Sequence, residues 1–364
     1  MVFYRKYRPK NFFEVIGQEQ IIKILTNELK AGKVAHAYLF CGPKGTGKTT
    51  IARLLAKAVN CPNLKNAEPC NQCPFCLEIN AGKALDLIEI DAASHRGIDE
   101  IRELREGIKF TPSRLKYKVF VIDEAHQLTK EAFNALPKTL EEPPAHAIFI
   151  LATTEPHKIL PTIVSRCQRL DFRKFSLGEI IKRLSEIARQ EKIKIDSPAL
   201  KLIAVVSDGD LRDAISILDQ LISLEDQKIT LAEAQAILGV SDNKALVDLI
   251  DCLIKKQINQ GLKIINNLAQ AGSDLHQYAK SLVNYFRQMM ILKIDAGLAD
   301  LIAPELTKEQ LSVILEQGKG FQEKDMPGIL RVLLEAENSI KIAPYPQIPL
   351  EIAIIEIILH FGER

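Results

Sequence analysis

Two patterns of hydrophobic and polar positions alternate along the first half of the chain. Short apolar runs predict five strands, at residues 38–41, 86–90, 118–122, 147–152 and 169–172. Amphipathic stretches between them predict helices, for example over residues 18–29 and 49–59. Strands that alternate with helices indicate an α/β fold with a parallel sheet covered on both faces.

After Lys174 the strand signals disappear and the pattern is helical. Ser176, followed three residues later by Glu179, predicts a capped helix over 176–190. Further helices are predicted to begin at Ser197 and to cover 210–223, and the pattern stays helical from about residue 230 to the end. The predicted domains are therefore a sheet domain over 1–174, a small helical domain over 175–228 and an all-α domain over 229–364.

Composition adds few constraints to this organisation. The 364 residues are 47% hydrophobic and 26% charged, which supplies enough apolar side chains for a sizeable core. A net charge of +2 means that any nucleic-acid surface would be a local patch. Neither a run of about 18 apolar residues nor the apolar segment of a signal peptide is present, so we expect a cytoplasmic protein without membrane contact.

A phosphate-binding loop is predicted between the first strand and the helix that follows it. The segment from Gly42 to Thr49 fits G-x-x-x-x-G-K-[ST], in which backbone amides surround phosphate oxygens. Lys48 would lie near the β and γ phosphates of ATP, and Thr49 would offer its hydroxyl to Mg²⁺. The predicted nucleotide-binding residues are Gly42, Pro43, Lys44, Gly45, Thr46, Gly47, Lys48, Thr49 and Thr50.

Acidic and hydroxyl residues follow two later strands. The apolar run at 119–122 ends in Asp123 and Glu124, which suit Mg²⁺ binding and polarisation of the attacking water. Thr154 follows the run at 147–152 and could contact the γ-phosphate or that water. Because ligands bind at the carboxyl ends of parallel strands, these residues are candidates for one catalytic site.

Four cysteines lie close together in the chain, at Cys61, Cys70, Cys73 and Cys76. Two overlapping C-x-x-C steps with a fourth cysteine upstream predict a structural, four-coordinate Zn²⁺ site. An iron–sulfur cluster and four free thiols are the alternatives.

These motifs together resemble the tau/gamma subunits of the bacterial DNA polymerase III clamp loader, which are AAA+ ATPases. The resemblance rests on residues 5–9 and 17–19, on the segment 36–40 that leads into the loop, and on the cysteine insertion after it. It extends to Ser165-Arg166-Cys167, to residues 211–214 and to the Pro344-Tyr345-Pro346 turn, and so covers nearly the whole chain.

The resemblance implies an ATPase motor subunit of the polymerase holoenzyme. ATP binding would open the ring-shaped sliding clamp, and hydrolysis triggered by primer-template DNA would close it on that DNA. Residues 175–228 would be a helical lid, and residues 229–364 a collar through which subunits assemble into a hetero-pentamer. Arg212 would reach its own ATP from the lid, and Arg166 would reach the ATP of a neighbouring subunit.

DNA contacts are also implied by the resemblance, from Arg96, Arg102, Arg105 and Lys138. Pro137 departs from the family pattern, and a proline inside that helix costs roughly 3 kcal/mol and should kink it beside Lys138. The chain also ends with the collar, as a short gamma-like form or a cut form of the longer tau would.

Three other classes of protein fit the sequence less well. A helicase shares the Asp123-Glu124-Ala125-His126 box, but the helical second half offers no second nucleotide-binding domain. A non-catalytic assembly subunit of the same loader typically has a broken phosphate loop. Another AAA+ DNA motor, such as a branch-migration motor, would not explain the four cysteines.

Overall fold

The computed structural model describes residues 2–94, 107–108, 110–129, 132–133, 140–224, 228–238, 243–302 and 308–361. They form two compact units, residues 1–195 with 203–228 and residues 196–202 with 229–364.

The first unit is built around a five-stranded parallel sheet. Its strands are β1 (Ala37–Cys41), β2 (Leu87–Asp91), β3 (Lys118–Asp123), β4 (Ala147–Thr153) and β5 (Gln168–Asp171). The strand order is β2-β3-β4-β1-β5, and every pairing is parallel. The five predicted strands are therefore confirmed to within about a residue at each end.

Helices cover the sheet on both faces. Those of the first half are α1 (Phe3–Lys6), α2 (Glu19–Ala31), α3 (Lys48–Asn60), α4 (Pro74–Asn80) and α5 (Pro161–Val164). Side chains alternate along each strand, so Tyr38 and Phe40 pack with α2 and α3, while Leu39 lies in a second core on the opposite face. Because both faces are buried, β1 has no polar residue, which is the continuous apolar run expected of a central parallel strand.

The helices after the sheet begin close to their predicted positions. They are α6 (Leu177–Gln190), α7 (Ser197–Val206) and α8 (Leu211–Leu224). Ser176 accepts a hydrogen bond from the Glu179 N–H at 3.3 Å, and the Glu179 carboxylate accepts one from the Ser176 N–H at 2.8 Å. This is the predicted capping box.

One prediction for this region is wrong. Strand structure does not end at Lys174, because β6 (Lys194–Ile195) and β7 (Lys228–Ile229) form a separate two-stranded sheet. Each strand has only two residues, which is too short for an alternating pattern to appear in the sequence.

Apart from Ile229 of β7, the regular structure of the second unit is helical in its described residues. Its remaining helices are α9 (Leu231–Leu238), α10 (Asn243–Ile254), α11 (Ile258–Gln270), α12 (Leu275–Ile294), α13 (Ala299–Ile302), α14 (Lys308–Gly318), α15 (Met326–Ile340) and α16 (Ile348–His360). One apolar core joins α10 to α16, with Phe286 and Met289 of α12 at 0% and 1% exposure. The expectation of an all-α C-terminal region is confirmed for these residues.

Candidate functional site

The glycine-rich motif forms the loop between β1 and α3, as predicted. β1 ends at Cys41, and Gly47 lies directly before α3 with φ of 98°. Gly45 has φ of 71°, and a Cβ at this position would fall 1.6 Å from Oδ1 of Asp210, the residue directly before α8. The loop therefore needs glycine both for its left-handed backbone and for the close approach of Asp210.

Lys48 is buried at the centre of this loop. Its Nζ donates hydrogen bonds to the carbonyl oxygens of Gly42 and Pro43, both at 2.7 Å. Burial lowers its pKa, and the carboxylates of Glu124 and Asp123 act in the opposite direction. The ammonium group is therefore held inside the loop and faces two acids, as expected of a lysine that binds phosphate.

The remaining loop residues have simpler environments. Thr46 is buried and its hydroxyl donates to the Pro43 carbonyl at 2.9 Å, whereas Lys44 is exposed and Thr50 lies half-buried in the first turn of α3. Gln18 supports the loop from outside, because its side-chain amide donates to Thr46 O at 3.3 Å and to Arg173 O at 2.9 Å. Sequence reasoning used Gln18 only as a family marker and missed this supporting role.

Thr49 and Asp123 form a pair of hard oxygen donors. The Thr49 hydroxyl donates to Asp123 Oδ2 at 2.8 Å, although the two residues are 74 positions apart. Mg²⁺ in proteins takes oxygen ligands in an octahedron, typically one or two carboxylates together with phosphate and water oxygens. One hydroxyl and one carboxylate beside a phosphate loop fit that requirement.

Glu124 and Thr154 meet at the same edge of the sheet. The Thr154 hydroxyl donates to Glu124 Oε2 at 2.9 Å. Glu124 has φ of 47°, an uncommon backbone conformation for a residue other than glycine. The structure thus brings the predicted site residues together at the carboxyl ends of β1, β3 and β4. They are Lys48 of the loop, the Thr49–Asp123 pair, Glu124 and Thr154.

Arg212 lies in a cluster of cationic and aromatic side chains. Its guanidinium carbon is 4.7 Å from the ring centroid of Tyr4, and the Arg212 hydrogen bond is the largest cause that lowers the pKa of Tyr4. The pKa of Arg8 is lowered to about 10, chiefly by burial and also by the positive charges of Arg53 and Arg212, while the Glu89 carboxylate acts in the opposite direction. A concentration of positive charge suits an anionic ligand, and sequence reasoning missed Tyr4 and Arg8 as parts of this cluster.

Arg166 makes its contacts away from the glycine-rich loop. Its Nη1 donates to the Thr162 carbonyl at 2.7 Å and to Ser165 Oγ at 3.2 Å, and its Nη2 forms an ion pair with Glu141. Its Nε is buried and has no partner among the described residues. The guanidinium therefore retains an unused donor.

The four-cysteine cluster, Cys61, Cys70, Cys73 and Cys76, is brought together as predicted. All four sulfur atoms lie within 4.8 Å of one another, and all four thiols are free of disulfides. Backbone N–H groups of residues 70, 73 and 76 donate to sulfurs of the cluster at 3.3 to 3.4 Å. The backbone N–H groups of Gln72 and Cys73 lower the pKa of Cys70 to about 6. Four sulfurs at this spacing fit a tetrahedral ion, and they also fit the iron–sulfur alternative.

Lys57 ties the four-cysteine cluster to the helix that follows the loop. It is 2% exposed, and its Nζ donates to Asn71 Oδ1 at 2.7 Å, to Asn80 Oδ1 at 2.8 Å and to the Lys10 carbonyl at 2.5 Å. Three acceptors satisfy all three ammonium protons, which makes a buried lysine tolerable here.

The candidate DNA contacts lie outside the described residues, and so does the proline expected to kink the helix. The contacts are Arg96, Arg102, Arg105 and Lys138, and the proline is Pro137. Among the helices that are described, none has the length and apolar character needed to cross a membrane.

Comparison with known proteins gives matches along nearly the whole chain. Three family models match in succession: "DNA polymerase III, delta subunit" over residues 17–176, "DNA polymerase III clamp loader subunit, ATPase lid domain" over 179–227, and "DNA polymerase III subunits gamma and tau domain III" over 229–361.

Individual relatives agree with these models. DNA polymerase III subunit gamma of Buchnera aphidicola is 35% identical over 97% of both chains. DNA polymerase III subunit tau of Bacillus subtilis is 42% identical over 97% of this chain, which spans only 62% of that protein's length. Among solved structures, the Thermotoga maritima RuvB Holliday junction branch migration motor matches 74% of this chain and 86% of its own, with 21% identity and a TM-score of 0.48.

Proposed function

Because the chain belongs to the family of DNA polymerase III gamma and tau subunits, we propose that it is the ATPase motor subunit of a bacterial sliding-clamp loader. In this proposal ATP binding opens the sliding clamp, and hydrolysis triggered by primer-template DNA deposits the clamp on that DNA. The subunit works within the polymerase III holoenzyme in the cytoplasm.

The convergence at the carboxyl edge of the sheet is the observation that supports this proposal most directly. Lys48, the Thr49–Asp123 pair and the Glu124–Thr154 pair come from three strands and share one edge. A non-catalytic assembly subunit needs none of these contacts. Their joint presence therefore favours ATP hydrolysis over a purely structural role.

Each residue has a role that follows from its chemistry. Lys48 binds the β and γ phosphates, and Thr49 and Asp123 hold Mg²⁺, which neutralises phosphate charge when bound. The Glu124 carboxylate accepts a hydrogen bond from the attacking water and orients it. Thr154 lies beside Glu124 and donates its hydroxyl proton to the γ-phosphate or to that water.

Two arginines complete the proposed site. Arg212 acts in cis, from the lid whose residue Asp210 lies against Gly45 of the loop. Arg166 acts in trans on the ATP of the neighbouring subunit, since its own contacts go to Thr162 and Glu141 rather than to its own loop. A guanidinium suits both roles because it is permanently charged and bonds phosphate oxygens as a fork.

The domain assignment is part of the proposal. We assign residues 1–174 to the nucleotide-binding domain with the insertion 61–76, residues 175–228 to the lid and residues 229–364 to the collar. Support comes from the family models, whose matches end at residue 176, cover 179–227 and resume at 229.

The collar carries an exposed apolar surface that suits subunit assembly. Four residues of α16 form one stripe, with exposures of 41%, 57%, 37% and 56%, and they are Ile348, Ile352, Ile355 and Leu359. Their spacing of four, three and four residues places them on one face of the helix. We assign this stripe, hereafter the collar stripe, to the contact with a second copy of the chain in the hetero-pentamer.

A structural Zn²⁺ held by the four-cysteine cluster belongs to the same proposal. Four sulfur ligands leave no open position for substrate, so the ion would stabilise the insertion and take no part in hydrolysis.

An ATPase assay with two variants tests the proposed function. The wild-type chain, assembled with its loader partners, should hydrolyse ATP faster when sliding clamp and primed DNA are added. Lys48→Ala should abolish clamp loading without loss of folding. Glu124→Gln should bind ATP normally and hydrolyse it slowly, because the amide keeps the shape of the side chain but loses the charged acceptor. Clamp loading at the wild-type rate by Lys48→Ala would contradict the site assignment.

A further inference from the structure

A buried histidine lies between the two acidic tips of neighbouring strands. His126 belongs to the short 3₁₀ turn Ala125–Gln127 that follows β3, and its side chain is only 7% exposed. The sequence singles out this residue as the end of an Asp-Glu-Ala-His box, but the proposed function gives it no task.

Both ring nitrogens of His126 have polar neighbours. Nδ1 lies 3.0 Å from Thr153 Oγ1 and 3.4 Å from Glu124 Oε2, while Nε2 lies 3.3 Å from Glu155 Oε1. The ring thus connects the end of β3 with the end of β4. A carboxylate can only accept hydrogen bonds, so the contacts with Glu124 and Glu155 are made by ring N–H groups, and the Nδ1–H is shared between Glu124 Oε2 and the nearer Thr153 Oγ1.

Glu124 depends on its neighbours for its position. Its left-handed backbone, with φ of 47°, is a conformation that costs of order 1–3 kcal/mol and persists only when the surroundings enforce it. Its carboxylate oxygen Oε2 has two side chains nearby, Thr154 at 2.9 Å and His126 at 3.4 Å.

Thr154 and His126 differ in whether they can keep a hydrogen bond to the Glu124 carboxylate during the reaction. A threonine hydroxyl has a single proton to donate. When Thr154 directs that proton to the γ-phosphate or to the water, Glu124 loses this hydrogen bond and keeps only the imidazole.

We propose that His126 is a positioning residue for Glu124: its Nδ1–H keeps the Glu124 carboxylate aimed at the attacking water, and Glu155 orients the ring through Nε2. This inference rests on the proposed function, since it concerns the same hydrolysis step. It predicts a role in turnover and none in ATP binding, because the ring contacts the acid rather than the phosphate loop.

Two amide substitutions separate the two sides of the ring. His126→Asn places an amide near the position of Nδ1 and preserves a donor to Glu124, whereas His126→Gln reaches the position of Nε2 and loses that donor. We expect kcat for ATP to fall by about 10- to 100-fold in His126→Gln and to stay within about threefold in His126→Asn, since small misplacement of a catalytic group has effects of this size. KM for ATP should be unchanged in both variants.

The measurement uses the full-length chain in its loader assembly with MgATP and primed DNA. A double variant tests whether His126 acts through Glu124. In a Glu124→Gln background, His126→Gln should cause no further loss of kcat, whereas a histidine that only stabilises the fold would give the same loss in either background. Thermal unfolding of each variant, with the Asn and Gln forms melting at the same temperature, confirms equal folding.

Two results would overturn the inference. One is an equal loss of kcat in the Asn and Gln variants, and the other is a further loss from His126→Gln when Glu124 is already replaced. A wild-type assembly that hydrolyses no ATP would instead refute the proposed function itself, so the two failures are distinguishable.

Discussion

Replacing Arg166 with alanine is the most informative perturbation, because its effect separates a residue that serves its own ATP from one that serves a neighbour. In the structure the Arg166 side chain is 30% exposed and its guanidinium forms an ion pair with Glu141, whose side chain is 48% exposed. Pairs this exposed contribute about 0–1 kcal/mol. Releasing Glu141 to reach a neighbouring phosphate would therefore slow hydrolysis by no more than about fivefold, because each factor of ten in rate corresponds to roughly 1.4 kcal/mol.

The expected gain from the arginine is much larger than that cost. An arginine that stabilises charge on the γ-phosphate in trans accelerates GTPases by roughly 10³- to 10⁵-fold. Arg166→Ala should therefore reduce DNA-stimulated hydrolysis by about this factor in the assembly, while ATP binding by the isolated subunit stays nearly unchanged. Glu141→Gln is the matched control, and it should remain within about fivefold of wild type.

Mixed assemblies provide the decisive assay. Neither Arg166→Ala nor Lys48→Ala assemblies should hydrolyse ATP well when prepared alone. Where two copies of this chain meet head to tail, equal mixing places an intact loop opposite an intact Arg166 at about a quarter of those interfaces, so part of the activity should return. Mixtures that stay inactive, combined with weakened ATP binding by Arg166→Ala alone, would assign this arginine to its own nucleotide and refute the reasoning.

Three further predictions concern metal, stability and assembly. Elemental analysis should find one Zn²⁺ per chain, whose binding can contribute on the order of 10 kcal/mol to folding; iron with visible absorption would favour the iron–sulfur alternative, and absence of metal would contradict both. Asp86 is buried and accepts N–H donors of residues 113, 114 and 115 at 2.8 to 3.0 Å, so Asp86→Ala should lower the free energy of unfolding in urea by about 3–6 kcal/mol. Burial raises the pKa of the Asp86 carboxyl, but the three N–H donors lower it more, so the folded-state pKa lies below the usual value. The stabilisation is therefore present above the usual carboxyl range and is lost as pH falls below about 4. Urea midpoints that fall equally with pH in the wild-type protein and in Asp86→Ala would contradict this. Ile352→Glu in the collar stripe should dissociate oligomers in sedimentation experiments, whereas Gln322→Glu, the same charge change at another exposed collar position, should not.

The central strands of the sheet were predictable because they are buried on both faces. The apolar run 119–122 in β3 and the run 147–152 in β4 each appear as unbroken hydrophobic sequence, and polar residues mark where each strand ends. The glycine-rich loop and the four-cysteine cluster were predictable for a different reason. Glycines and cysteines at these spacings occur in few other kinds of structure.

Contacts between distant segments were not predictable from one sequence. The Phe3 amide donates to Asp219 at 3.1 Å across 216 residues, and the Tyr4–Arg212 contact has a similar separation. No periodicity encodes such a pairing, because it depends on how α1 packs against α8. Thr153 shows the same limit: nothing in the sequence pairs it with a particular residue, whereas the structure brings it into contact with His126.

The strand order has a consequence for synthesis of the chain. β1 is paired on both sides by strands that are made much later, since Ala37 is opposite Phe149 and Tyr38 is opposite Gln168. At about 5–20 residues per second, a ribosome needs on the order of ten seconds to make the intervening segment. During that interval Tyr38, Leu39 and Phe40, each fully buried in the finished protein, have no partner strand. The strand that leads into the phosphate loop is therefore the segment we expect a chaperone to bind on the nascent chain, and release of β5 from the ribosome is the step that completes its sheet.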